Sequence, residues 1–342
     1  MVFLAAGVNH KTGSILLREK LNCSGKGLSR IYRAVAETEI FNGALVLSTC
    51  NRMEVYAVAE EKEQGFEALI DFISSYFNIS SNHLIDVMYF YDNKDAMNHL
   101  CRVYAGLDSL IVGEKQIVQQ VDESFDLAKS AGLANSFITD IFSCAGKIKN
   151  RVHSETNIAR GKVSVGSVAV DFIKRKKGPL KGKRIIIVGL GKVTELVLKY
   201  LMKENPSITL VAKKNYERAL MLASKINADV TRFDDSRSFV NDADIIVTAT
   251  SSPHTVLKFD DVKKTDKELL IIDLAFPRDV DSAVGKLKNI ELIYMEDLKE
   301  VIRINRARKS SAAEKAREII LRQVEKKWKS IIASAQEQAH LL

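Results

Sequence analysis

The chain has 342 residues, and its 51 Lys+Arg against 43 Asp+Glu give a formal net charge of +8. Hydrophobic residues at 46% and charged residues at 27% are globular proportions, which exclude a disordered chain, a collagen-like repeat and a small disulfide scaffold and leave room for two or three domains. Residues 1–160 carry 16 basic and 19 acidic side chains, a net of −3, so the excess of +11 lies in residues 161–342, where a polyanion such as RNA or simply a solvated surface is to be expected.

No run of about 18 apolar residues is present, and MVFLAAGVNH has no basic region ahead of a long apolar stretch, so the expectation is a soluble, cytoplasmic protein. Cys23, Cys50, Cys101 and Cys144 lie far apart without a C-x-x-C pair, which argues against a zinc or iron–sulfur site.

In chain order, VFLAAGV and ALVLSTC read as buried strands, while LSRIYRAVAE and FEALIDFISSYF read as amphipathic helices, an α+β pattern. From about Asp95 the pattern is helical, broken around Gly106–Gly113, and Phe137, Ile141, Cys144, Ile148 and Val152 recur at helical spacing. This predicts a long connecting helix from about 135 to 177. The run Lys174–Arg184 carries seven basic residues with Gly and Pro among them and reads as a solvated boundary between domains. Beyond it RIIIVGLG, TELVLKYLMKE, ITLVA, ERALMLASKI, ADIIVTAT and ELLIIDLAF alternate strand and helix, the signature of a parallel sheet covered on both faces. From about Met295 one helical tract follows. It cannot bury its apolar stripe alone, so a partner helix from a second subunit is expected.

Three places carry chemistry. Strand RIIIV runs into Gly189-Leu190-Gly191-Lys192-Val193-Thr194, where a dinucleotide fold sets a tight turn and a helix N-terminus beneath a pyrophosphate; Thr194 stands in place of the third glycine. Lys213-Lys214 follow the next strand, where an acidic residue would select NAD; two cations favour a 2′-phosphate and hence NADP, unless they are solvent-facing lysines. Cys50 closes an apolar strand beside Arg52, a setting that lowers a thiol pKa, although on its own it reads more readily as an inert buried cysteine.

The company of Cys50 shifts that balance. GVNHKT, STCNR-x-EVY, HLCRVYAGLDSLIVGEKQIVQQV, RVHSETNIARGKVSVGSVAV, ATSSPH and DLAFPRDVD, spread over about residues 4–325, resemble the blocks of the glutamyl-tRNA reductase family in their order. The resemblance implies reduction of glutamyl-tRNA with NADPH to glutamate 1-semialdehyde, the first step of five-carbon tetrapyrrole synthesis. Its architecture would be an α/β multidomain chain: an N-terminal α+β catalytic domain over 1–155, a Rossmann-like NADPH-binding domain over 160–294 and a helical dimerisation region over 295–342. Cys50 would be the nucleophile that forms a glutamyl thioester, with His99 as its base or as a hydrogen-bond partner of the reacting carbonyl. Thr49, Asn51, Arg52, Ser109, Glu114, Lys115, Gln116 and Gln120 would bind substrate, Arg52 clamping the glutamyl carboxylate and Glu114 pairing with its ammonium. The pattern of Glu114, Gln116 and Gln120 predicts a helix starting near Glu114.

Met53, Lys115, Gln119 and Tyr104 replace residues more usual in the family, and the C-terminal helical region is shorter than in most members. A homodimer and transfer of product to an aminotransferase are further implications. The alternatives are a divergent paralogue that binds glutamyl-tRNA without reducing it and an NADP-dependent enzyme of the shikimate-dehydrogenase sort.

Overall fold

The structure, a computed structural model, describes residues 1–339 apart from 24–25, 39, 160–163, 213–214 and 234–238. The chain forms two units, residues 1–161 together with 306–342, and residues 162–305.

In the first unit β1 (Val2–Asn9), α1 (Ile15–Lys20), α2 (Lys26–Glu37), β2 (Gly43–Thr49), β3 (Arg52–Ala59), α3 (Lys62–Phe77), α4 (Ser81–Val87), β4 (Tyr89–Asp92), α5 (Asn93–Tyr104), α6 (Gln116–Ser130) and α7 (Ser136–Glu155) follow one another. The strands pair antiparallel in the order β2-β3-β1-β4. Side chains alternate across a strand, so Leu4, Ala6 and Val8 enter one apolar cluster with Leu17, Ile31, Leu69 and Leu84 from α1 to α4, while Phe3 and Ala5 enter another with Met97, Val121 and Ile141 from α5 to α7. Burial on both faces is why these strands read as continuous apolar runs.

The second unit begins with α8 (Val165–Lys177) and continues through β5 (Arg184–Val188), α9 (Lys192–Leu201), β6 (Ser207–Ala212), α10 (Tyr216–Ile226), β7 (Asp229–Arg232), α11 (Phe239–Asp242), β8 (Ile245–Thr248), α12 (Phe259–Val262), β9 (Leu269–Asp273) and β10 (Ile290–Tyr294). Its strands pair in parallel in the order β10-β9-β8-β5-β6-β7, the Rossmann-like sheet anticipated from the alternating pattern. The order reverses at β5, whose neighbours are β6 and β8, so the crevice for a ligand lies at the carboxyl ends of β5 and β8.

Two expectations change. The helix expected over 135–177 is two helices: α7 stops at Thr156, which is extended, and α8 starts at a capping box in which Ser164 Oγ accepts from Ser167 N while Ser164 N donates to Ser167 Oγ. The expected basic linker is likewise part of the second unit, with Lys174–Lys177 forming the last turn of α8, where cations suit the carbonyl end of the helix. Two of these lysines have acidic partners, Lys174 with Glu204 at 2.7 Å and Lys176 with Glu291 at 2.6 Å.

The chain continues through α13 (Lys299–Arg308) into α14 (Ser310–Ala339). Ala316, Ile319, Ile320, Val324, Trp328 and Ile331 of α14 are buried in the apolar cluster that holds α5 and α7. The partner expected from another subunit is thus supplied for this stripe by the chain's own helices.

Candidate active site

Cys50 and Asn51 are the two-residue turn between β2 and β3, with Thr49 opposite Arg52 as the last strand pair. The turn stands at the end of a sheet whose strands are locked by burial, and Cys50 is half-exposed there. Asn51 N donates to Thr49 Oγ1 at 3.2 Å, His10 N donates to the Asn51 carbonyl at 2.9 Å, and Arg18 Nη1 donates to the Cys50 carbonyl at 2.7 Å. Thr49 and Asn51 therefore shape the turn that presents the thiol.

Behind the turn lies a buried charged cluster. Arg52 is 2% exposed, its Nη1 donating to Glu54 Oε1 and its Nη2 to the Asp108 carbonyl, each at 2.6 Å. Glu54 also accepts from the hydroxyls of Tyr56 and Tyr89, and lies 3.1 Å from His99 Nε2. Asp108 pairs with Lys11 at 2.6 Å and with Arg102 at 2.8 Å. Burial by itself raises both carboxylate pKa values, but Arg52 and His99 around Glu54, and Arg102 and Lys11 around Asp108, outweigh it and hold both groups well below the usual range. Lys11, Arg52 and Arg102 outnumber Glu54 and Asp108 three to two, an excess of cations that suits one added carboxylate. His99 stacks on Tyr91 and is 2% exposed. Its Nε2 is engaged by Glu54, and Nδ1, 3.7 Å from Asp108 Oδ2, makes no hydrogen bond among the described residues.

The loop between α5 and α6 carries Ser109, Glu114 and Lys115 and is anchored to this cluster at Asp108, whose carbonyl and carboxylate meet Arg52, Arg102 and Lys11. Ser109 is buried next to Asp108. Glu114 Oε1 is buried with no hydrogen-bond partner among the described residues, and burial pushes the carboxyl up to about 7. A carboxyl left so is matched by an incoming ammonium. The helix predicted near Glu114 begins two residues on: Lys115 is the exposed N-cap residue, and Gln116 and Gln120 stand one turn apart on α6.

In the second unit the glycine turn fits a dinucleotide. Gly189 has φ +107, and a Cβ there would meet the Ala249 carbonyl oxygen at 2.6 Å, so only glycine lets the ends of β5 and β8 approach this closely. Gly191, Lys192 and Val193 open α9; Gly191 is its N-cap and has no side chain to bond the first-turn N–H groups, which leaves that terminus to an anion. Leu190 is half-buried in the turn. Thr194 is buried and its hydroxyl donates to the Gly189 carbonyl at 3.0 Å, so the larger residue at the third glycine position closes the turn. Lys213 and Lys214 lie outside the described residues.

Next to this turn Thr250 N donates to Asp279 Oδ2 at 2.8 Å and the Thr250 hydroxyl donates to Oδ1, while Asp273 accepts from the Thr248 hydroxyl and from the amides of Ala275, Asp279 and Val280. Burial pushes Asp279 up to about 7 despite these bonds.

Arg18, Glu54 and Asp108 are functional neighbours that reading the sequence did not single out. A signal existed for one of them: Arg52, Glu54 and Tyr56 alternate along β3, a polar face on a strand buried throughout. Asp108 touches Arg52 across a long stretch of chain and leaves no local trace.

A cysteine at a hairpin tip in one unit, and a parallel sheet with a fitting glycine turn in the other, define an oxidoreductase with a nicotinamide dinucleotide cofactor. The family model for the N-terminal domain of glutamyl-tRNA(Glu) reductase matches residues 6–156, and that for shikimate/quinate 5-dehydrogenase matches residues 171–301. The chain is 35% identical over 325 residues to the glutamyl-tRNA reductase of Pelotomaculum thermopropionicum, covering 94% of this chain and 73% of that one. It is also 35% identical over 335 residues to that of Sulfurihydrogenibium sp., covering 96% and 76%. The solved glutamyl-tRNA reductase of Methanopyrus kandleri superposes with a TM-score of 0.56 at 29% identity, over 98% of this chain and 82% of that one. The chain belongs to the glutamyl-tRNA reductase family.

Proposed function

We propose that the chain reduces glutamyl-tRNA to glutamate 1-semialdehyde through a thioester on Cys50, with NADPH as reductant. The observation that carries the reading is the placement of Cys50 at the hairpin tip next to Arg52, whose buried cluster holds three cations against two carboxylates, with the unpartnered carboxyl of Glu114 on the loop that Asp108 anchors to that cluster. The Cys50 thiolate attacks the ester carbonyl, the C–S bond forms, the ester C–O bond breaks, and the tRNA leaves with its hydroxyl reprotonated. A thioester carbonyl has weaker resonance stabilisation than an ester, so covalent transfer divides one hard reduction into two easier steps.

The surplus charge around Arg52, Lys11 and Arg102 receives the side-chain carboxylate, and Glu114 receives the α-ammonium. Ser109, Gln116 and Gln120 supply neutral hydrogen bonds, with Lys115 at the rim. Arg52 already donates to Glu54 and Asp108, so it has only its remaining N–H groups for substrate. His99 supports Glu54 through Nε2 and has Nδ1 for a base or hydrogen-bond role.

Gly189 to Thr194 would hold the cofactor pyrophosphate, with Lys213 and Lys214 selecting the 2′-phosphate. When bound there, the reduced nicotinamide would supply the hydride that turns the acyl group into an aldehyde, the C–S bond breaking and the Cys50 thiolate leaving. The basic stretches 174–184 and 299–329 would draw the tRNA backbone, with Lys174 and Lys176 contributing less because glutamates face them. Dimerisation through 295–342, transfer of the semialdehyde to an aminotransferase and a cytoplasmic location belong to the same reading; among the described residues no helix is long and apolar enough to cross a membrane.

The test is turnover of glutamyl-tRNA with NADPH by wild type and Cys50→Ser side by side. The variant is expected to form neither acyl-enzyme nor semialdehyde, and full activity would sink the mechanism.

A further inference from the structure

Arg18 is a buried cation bonded to the residue that carries the thiol. It lies on α1, is 5% exposed, and donates through Nη1 to the Cys50 carbonyl at 2.7 Å. Taking a guanidinium out of water is costly, so a position of this kind demands close polar coordination and is a poor choice for packing alone.

The helix that carries Arg18 is fixed on both sides of it. Ser14 caps α1 by accepting from Leu17 N at 3.2 Å, Arg18 N donates to the Ser14 carbonyl at 3.1 Å, and Leu17 and Leu21 sit in the apolar cluster beneath the sheet. The segment after α1 is tied to the same strand end, since Cys23 N donates to Ser48 Oγ at 2.9 Å. The guanidinium is therefore aimed at the turn by a rigid support.

Arg52, the arginine nearest to Cys50 in sequence, directs two of its N–H groups to Glu54 and to the Asp108 carbonyl. Lys11 and Arg102 face Asp108. Arg18 donates to the backbone of the nucleophile itself.

We propose that Arg18 is a positioning residue for Cys50. It fixes the carbonyl of the turn, which sets the direction in which the thiol projects, and its charge favours thiolate over thiol. The proposal rests on reading Cys50 as the nucleophile.

The test compares wild type, Arg18→Gln and Arg18→Lys in the full chain. The readouts are the pH dependence of iodoacetamide alkylation, followed at the Cys50 peptide by mass spectrometry with Cys144 as internal control, and the rate of acyl-enzyme formation from glutamyl-tRNA. Arg18→Gln is expected to move the alkylation midpoint of Cys50 upward by about one pH unit and to slow acylation about tenfold at neutral pH, because the thiolate fraction falls in proportion. The Cys144 profile and NADPH binding stay unchanged. Arg18→Lys keeps the charge and is expected to restore the midpoint while acylation stays slower than wild type, the planar fork being absent.

An Arg18→Gln protein with both the midpoint and the acylation rate of wild type overturns the proposal. If circular dichroism shows that Arg18→Gln does not fold, Arg18→Lys decides: a midpoint held near wild type supports the role of charge, and one raised by about one pH unit refutes it. Cys50→Ser tests the nucleophile reading by itself, since turnover in that variant would defeat the thioester without altering what alkylation of Cys50 says about Arg18.

Discussion

The two units bury carboxylates to similar depth and treat them in opposite ways. In the first, Glu54 and Asp108 meet arginine, lysine and histidine and are held below the usual range; in the second, Asp279 meets, among the described residues, the amide and hydroxyl of Thr250 and the neighbouring Asp273, and rises to about 7. Burial is the largest influence in all three, and it always raises the value. What decides the sign is whether the donors carry charge. Neutral donors, even two on one carboxyl, do not offset the loss of water together with a second carboxylate nearby. The first unit therefore holds permanent charge, and the second keeps a carboxyl that is largely neutral in mildly acidic solution.

The largest way to break this contrast is Glu54→Gln. It leaves Arg52 buried without its carboxylate, and urea denaturation should show a loss of about 3–5 kcal/mol. Because the folded-state pKa of Glu54 lies below its ordinary 4.5, its contribution to stability is present above pH 4.5 and is lost as pH falls from there through the folded value; the variant's acid limb should be shallower.

Asp279→Asn is the milder counterpart. It removes one of two acceptors facing Thr250 and should cost about 1 kcal/mol near pH 5. The sign with pH is reversed: the folded pKa is raised from 3.8 to about 7, so the stabilising contribution is full below 3.8 and disappears as pH rises through about 7. The gap between wild type and variant should narrow across that window, and thermal melts at several pH values would show it.

The smallest effect concerns Glu114, whose buried, unpartnered carboxyl is raised like that of Asp279. Ionisation at about 7 should lower the KM for glutamyl-tRNA as pH rises to neutrality. Glu114→Gln should raise KM and flatten that limb, with the NADPH KM unchanged; a pH dependence identical to wild type would remove Glu114 from ammonium recognition.

Reading the chain located β1, β2, β5, β6, β8 and β9, whose mostly apolar runs lie between turn signals, and passed over β3, β4, β7 and β10. It also located the cysteine turn and the Gly189 turn, whose chemistry is local. It missed the break after Glu155, where helical periodicity on both sides concealed the Ser164 cap. It misplaced the cover of α14, since an apolar stripe states that it needs a partner and not which one. Glu54 had a signal in the polar alternation along β3, whereas Arg18 and Asp108 acquire their pairings only from the fold, and no spacing in the sequence encodes those.

The first unit is discontinuous in sequence, and this sets an order of events during synthesis. The groove on α5 and α7 that receives Ile319, Ile320, Val324 and Trp328 has left the ribosome long before α14 does, and the whole second unit is made in between. A nascent chain therefore displays an open apolar groove while its dinucleotide sheet is already complete, and the domain synthesised first is the last to close. Chaperone demand in this protein should concentrate in that interval.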